Sequence, residues 1–345
     1  MRLKHSAKLT LRMLFNCGEI SSILKRKTGH FLASRFRDDG LFVDATGFGD
    51  LYNTAKAMQA LHLVQYPDRN LVHRVGDCLV RSLRSLGRGE STFITDAGND
   101  SGLFVPEILA LVFAANLFEY SSGRKIFSEA NIDPHRFVLR GLSALRRKDG
   151  GLASSSEAKG SSLLTTGMGL TCIQFAGIVP YRENEDFQAL LENVVLSRQS
   201  PTGGSFDLAG LPMTTTTASF AGRWIRRVIA EEREFLGLPA SGPADSLLHR
   251  NNTFAFLTRM RKSSGGYRPG SYATNADLCS TFYAVEGLAE LLDWRWENLP
   301  EREKTMAFVR SCQRSDGGFA DPGDESISNI ASTVYALSTL SLLNS

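Results

Sequence analysis

A chain of 345 residues that is 42% hydrophobic and 22% charged has enough apolar material for a substantial core, which excludes a disordered polypeptide. A formal net charge of +3 is too small to suggest a nucleic-acid binder, although Lys and Arg crowd the first forty residues. The five cysteines, Cys17, Cys78, Cys172, Cys279 and Cys312, are dispersed without C-x-x-C spacing, which argues against a disulfide framework or a zinc finger and fits a reducing, cytoplasmic compartment.

The amino-terminal stretch MRLKHSAKLTLRMLFNCGEI starts basic but has neither an unbroken apolar stretch nor a clear small-residue cleavage site, so residues 1–24 read as a basic segment. No apolar run reaches membrane-spanning length. An amphipathic segment needs no such run, so peripheral membrane contact stays open.

From residue 25 onward the chain is organised by a repeat. Glycine turns recur as DDGLF (38–42), DSGLF (100–104), KDGGL (148–152), PTGGSF (201–206), SSGGY (263–267) and SDGGF (315–319). They lie roughly fifty to sixty residues apart, a period that suits a helix pair and its loop. Before the turns come helically spaced apolar segments such as FLASRF (31–36), VLRGLSAL (138–145) and MAFVRSC (306–312). After them come second helices, of which DLYNTAKAMQAL (50–61), DLCSTFYAVEGL (277–288) and NIASTVYALSTL (329–340) superpose with Thr, Ala and Leu in phase.

In those second helices the leading Asp or Asn is an N-cap, and the small residues behind it allow close helix packing. A glycine pair permits a chain reversal, and the aromatic or leucine that follows can plug the seam between helices. Since no single pair can bury its faces alone, the expected arrangement is an inner set of helices surrounded by an outer amphipathic set. In the fourth repeat, LPMTTTTASFAG (211–222) is expected to cap and begin an inner helix, and GRWIRR (222–227) to cover an outer surface. EEREFLGLPASGPADS (231–246) reads as the longest connection between repeats rather than a domain boundary, and the acids of TDAGND (95–100) and DPGDE (321–325) as solvated loops.

The Q-x-x-D-G-G-F run at 313–319, with KTMAFVRSCQ before it and the S-T-x-Y-A-L helix after it, resembles the repeats of protein prenyltransferase β subunits and of squalene and terpene cyclases. The resemblance spans roughly residues 25–345. It implies an all-α fold, an α/α toroid (α6/α6 barrel) of six helix-pair repeats forming one domain over 25–345, around a cavity that holds an isoprenoid chain. Fold alone does not assign an activity.

For the prenyltransferase branch the resemblance implies a zinc ion held by an Asp-x-Cys pair and a His, which here become Asp277 and Cys279 as catalytic and metal-binding residues. Ser332 stands where the pattern has its His, and the six histidines lie in other repeats, which leaves Asp324 or Glu325 as substitutes. Cys279, in a first helical turn, would gain thiolate character if it faced the cavity. An aromatic cavity would draw on Tyr52, Phe220, Tyr267, Tyr272, Phe282, Tyr283 and Tyr335. Arg268 is the candidate for a diphosphate, with Arg223, Arg226 and Arg227 as alternatives, and an α-subunit-like protein partner would be expected.

Two alternatives accompany this reading. One is a class II terpenoid cyclase-like enzyme with Asp277 as its acid, although the D-x-D-D cluster of that branch is missing. The other is a non-catalytic toroid that binds lipid or protein.

Overall fold

The computed structural model describes residues 20–44, 46–87, 104–178, 185–211, 213–235, 237, 247–293, 295, 298–323 and 327–344. Asp324, Glu325, the TDAGND segment, most of the DSGLF turn, residues 1–19 of the basic segment and residues 238–246 of the long connection lie outside these.

Helices dominate. In chain order they are α1 (Ser22–Ser34), α2 (Leu51–Leu63), α3 (Arg69–Gly87), α4 (Val105–Ser122), the single turn α5 (Ile126–Glu129), α6 (Pro134–Leu145), α7 (Leu163–Phe175), α8 (Glu185–Ser197), α9 (Thr216–Phe235), α10 (Leu247–Met260), α11 (Leu278–Leu291), α12 (Arg302–Ser311) and α13 (Ile330–Leu343). Two short antiparallel hairpins, β1 (Phe42–Val43) with β2 (Gly49–Asp50) and β3 (Ser205–Phe206) with β4 (Thr214–Thr215), trim the turns.

Helices α2, α4, α7, α9, α11 and α13 each pack on the next, and α13 packs back on α2, so the inner set closes into a ring. The helices α1, α3, α6, α8, α10 and α12 precede them one by one and form the outer set. This is the expected all-α toroid. Among the described residues no helix is long and apolar enough to cross a membrane.

The recurrent threonine of the inner helices has a local explanation. Thr281 donates its hydroxyl proton to the Asp277 carbonyl at 2.6 Å and accepts the Tyr267 amide at 3.0 Å, which staples the glycine turn to the helix it feeds. Thr54, Thr166, Ser219 and Thr333 make the same pair of bonds in their own repeats. A hydroxyl at this phase satisfies a turn amide that would otherwise be buried without a partner.

The two glycines of SDGGF do different jobs. Gly317 has a positive φ of 93°, and a Cβ there would lie 2.4 Å from the Lys27 carbonyl oxygen. At Gly318 a Cβ would press to 2.9 Å from the Phe31 ring. The first glycine supplies the backbone hand and the second supplies room for an outer-helix aromatic. Because Lys27 and Phe31 belong to α1, this turn also joins the last repeat to the first, and Thr28 fastens it by donating to the Gly317 carbonyl at 2.9 Å. The aromatics that follow the turns, Phe42, Tyr267 and Phe319, are fully buried plugs.

The threonine run of the fourth repeat starts an inner helix, as expected: the Thr215 hydroxyl accepts the Ala218 amide at 3.1 Å and Thr216 opens α9. The expectation for GRWIRR is corrected. It lies on the inner helix α9, with Arg223 and Arg226 about 6% and 5% exposed, because Arg223 is paired with a carboxylate on the neighbouring inner helix and Arg226 reaches the Gln199 side-chain oxygen at 3.1 Å.

Candidate functional site

All six inner helices contribute to a central cavity of about 980 Å³, counting its open mouth. Its wall is chemically two-sided. The arc made by α4, α7 and α9 presents apolar groups, among them Leu109, Phe113, Met168, Phe175, Phe220 and Trp224. Thr171 is the polar exception, and its hydroxyl is occupied: it accepts the Trp224 Nε1 proton at 2.9 Å and donates to the Gly167 carbonyl at 3.0 Å.

The other arc, from α11, α13 and α2, carries Glu286, Tyr335, Ser338, Tyr52, Lys56 and Gln59. Helical spacing explains why they share the cavity: Tyr52, Lys56 and Gln59 fall on one face of α2, and Phe282, Tyr283 and Glu286 on one face of α11. Across the seam between α2 and α13, Lys56 Nζ stands 5.6 Å from the Tyr52 ring centre and 5.3 Å from that of Tyr335, a double cation–π contact. One turn along, Gln59 faces Ser338, with Nε2 and Oγ 3.4 Å apart.

Aromatic rings tie the arcs together. Trp224 stacks near Phe220 at 6.2 Å, Phe220 meets Tyr283 at 5.1 Å, and Tyr283 meets both Phe282 at 5.1 Å and Tyr335 at 5.8 Å. Such a belt offers flat apolar faces to an unsaturated hydrocarbon.

Electrostatics single out Glu286. It is 7% exposed, makes no hydrogen bond or ion pair with described residues, and is pushed up to about 8 by burial, with the charge of Glu290 adding to the rise and that of Lys56 opposing it. It is therefore mostly protonated at neutral pH. Glu290, one turn further on α11, has a different fate. Arg223 grips it with two bonds of 2.6 and 2.9 Å, and Arg227 approaches to 3.6 Å while also pairing with Glu231.

Of the residues expected from the sequence, Tyr52, Phe220, Phe282, Tyr283 and Tyr335 line the cavity. Tyr267 is a turn plug. Tyr272 lies 54% exposed on the 270–273 turn, away from the lining, where its ring covers Gly270. Arg268 is held by the same loop, with its guanidinium pointed at the Ser271 and Ala273 carbonyls, both at 3.4 Å. The alternative arginines Arg223 and Arg227 are engaged with Glu290 and Glu231.

Asp277 caps α11, as Asp50 caps α2 and Asn329 caps α13. Its carboxylate accepts the Ser280 amide at 2.6 Å and the Ser280 hydroxyl at 3.0 Å, and burial raises its pKa above the ordinary aspartate value. Cys279 is half-buried, with the Tyr335 hydroxyl among the groups that act on its thiol. The condition for thiolate character is not met: Cys279 is not among the residues lining the cavity, and burial, then the Asp277 charge, push the thiol up to about 12.

As zinc donors these residues fit poorly. One is a carboxylate already committed to a cap and another a protonated thiol, while Ser332 is buried with its amide bonded to the Asn329 cap at 2.6 Å. Among the described residues no group of three or more His, Cys, Asp or Glu has a metal-binding arrangement.

Lys56 and Glu286 were missed by sequence reasoning. The available signal was a carboxylate three and four residues beyond the Tyr283 and Phe282 pair in an apolar inner helix, and a lysine four beyond Tyr52 in another.

Comparison with known proteins agrees with the architecture. Residues 235–345 match the model of the prenyltransferase alpha-alpha toroid domain family. Protein geranylgeranyltransferase-I from Candida albicans, complexed with GGPP, superposes with a TM-score of 0.59 at 14% identity over 85% of this chain and 84% of that one. A variant of the type II terpene cyclase MstE from Scytonema, complexed with merosterolic acid A as product, gives 0.54 at 13% over 97% and 98%. A glycosidase variant complexed with glucose gives 0.56 at 13% over 96% of each chain. At these identities the likeness is one of fold. No curated protein sequence matches the chain. The chain has the α/α toroid fold, and its residues 235–345 match the prenyltransferase alpha-alpha toroid domain.

Proposed function

We propose that the protein is an isoprenoid-handling enzyme that takes a prenyl chain into the central cavity and uses Glu286 as its general acid, in place of the Asp277 and Cys279 pair. The observation that carries this reading is a buried, unpartnered carboxyl group in an aromatic-lined cavity. Apolar and aromatic walls suit an isoprene chain. A carboxyl group that titrates near pH 8 has the balance of proton affinity and availability that proton transfer near neutrality needs.

The two liganded neighbours with an isoprenoid-derived partner, the geranylgeranyltransferase with GGPP and the cyclase with merosterolic acid A, support the substrate class. A glycosidase reading is less favoured, since glycoside hydrolysis usually needs two carboxyl groups flanking the bond and Glu286 is the one carboxyl group among the described lining residues. Zinc-dependent prenyl transfer is disfavoured by the donor set.

The test is calorimetric binding of C15 and C20 isoprenoids, followed by product analysis. Wild-type protein should bind and turn over at least one of them, with activity falling as pH rises through about 8. Glu286→Gln should keep binding and lose turnover by at least about a hundredfold. Unchanged turnover in that variant, or no isoprenoid binding by the wild type, would overturn the proposal.

A further inference from the structure

We infer that the seam between α2 and α13 is a head-group site for a single carboxylate, seated at Lys56 between Tyr52 and Tyr335 with Gln59 and Ser338 beside it. The inference deepens the proposed function and rests on it for the nature of the chain. Lys56 is the one cationic side chain among the described lining residues. It makes no ion pair with described residues, and its charge is stabilised by two ring faces rather than consumed by a carboxylate.

Charge counting selects the head group. A diphosphate carries several negative charges and is usually met by multiple cations or guanidinium forks. Here the nearby guanidiniums of Arg223 and Arg227 are engaged by Glu290 and Glu231, and Arg268 is folded back on its own loop. One ammonium matches one carboxylate. Gln59 and Ser338, whose mutual contact is long, can each turn a donor toward the second carboxylate oxygen.

Glu286 sits beside this site on α11 and reinforces the choice. Protonated, it presents no charge against an anion and has a proton to donate; ionised, it would repel one. The titratable and charged groups that act on it are Lys56 from α2 and Tyr283 and Glu290 on its own helix; beyond them, Tyr52 from α2 and Tyr335 from α13 face Tyr283, and Arg223 and Arg227 from α9 hold Glu290.

The experiment is equilibrium binding at pH 7 with farnesoic acid, farnesol and farnesyl diphosphate, plus a straight-chain fatty acid of similar length. The acid should bind at least about tenfold tighter than the alcohol or the diphosphate. In Lys56→Met, which keeps the length of the side chain, the acid should fall to the affinity of the alcohol, while the alcohol stays within about twofold. Thermal melting of the variant checks that it is folded. Tightest binding of the diphosphate, or an acid-to-alcohol ratio that survives in Lys56→Met, overturns the head-group assignment and leaves the isoprenoid reading intact. Lys56-dependent binding of the straight-chain acid without binding of any isoprenoid does the reverse, and no binding of either acid overturns the assignment outright.

Discussion

The two halves of the cavity wall are built from the same repeat and end up with opposite chemistry. On the α4, α7 and α9 side the positions that face the cavity hold Leu109, Phe113, Met168 and Trp224, and the polar Thr171 is spent on holding Trp224 in place. On the α11, α13 and α2 side the equivalent wall carries Lys56, Gln59, Glu286 and Ser338. A repeat preserves caps, staples and glycine turns because each unit needs them to fold, whereas the cavity face is free to diverge. A wall polarised in this way suits an amphipathic ligand lying across the ring with its chain against the first arc and its polar end against the second.

Removing the acid from the polar arc should give the largest effect. Glu286 titrates near pH 8 in the folded protein and near 4.5 when unfolded, so the folded state holds an extra proton between those values. Stability from this group is full below about pH 4.5 and is lost as pH rises through about 8. Glu286→Gln should therefore melt close to wild type at pH 4.5 and above it at pH 8.5, with a gap on the order of 5 kcal/mol at the upper limit. A gap that does not change with pH would mean that the carboxyl group is solvated and that the arc is not polarised as described.

The next test breaks the joint between the arcs. Arg223 on α9 and Glu290 on α11 are both nearly fully buried, and removing Arg223 takes away the two short bonds to Glu290 and leaves it the longer Arg227 contact at 3.6 Å. Arg223→Met should cost about 3–5 kcal/mol in chemical denaturation, and adding Glu290→Met should recover much of that loss. Equal damage from the single and double variants would contradict a paired role.

The smallest effect is expected outside the wall. Asp277→Asn keeps a good N-cap, so stability should shift by less than about 0.5 kcal/mol and isoprenoid turnover should persist. Loss of turnover in a stable variant would return the chemistry to Asp277.

Much of the fold is legible in the sequence because its signals are local. Asp50, Asp277 and Asn329 cap their helices within three residues, and Thr54, Thr281 and Thr333 staple turns only 12 or 14 residues away. The aromatic part of the cavity follows from the same helical phase. The polar part does not, because ring closure sets Lys56 beside Tyr335, a residue from the opposite end of the chain. Likewise GRWIRR reads as surface until Arg223 meets Glu290, 67 residues away. Glu290 on α11 and two arginines four apart on α9, Arg223 and Arg227, were a complementary signal, visible once those helices are known to be neighbours. Cys279 misleads for the opposite reason: its helical position favours a thiolate, and burial beside Asp277 overrides it.

The central claim is an oriented, amphipathic ligand inside the ring, and photo-crosslinking tests it most directly. A C15 isoprenoid acid carrying a diazirine next to its polar end should label peptides from residues 51–63, 278–291 and 330–343. The same acid carrying the diazirine at the far end of the chain should label residues 105–122, 163–175 and 216–235. Labelling of one arc by both probes, or labelling confined to the outer helices, would contradict the account.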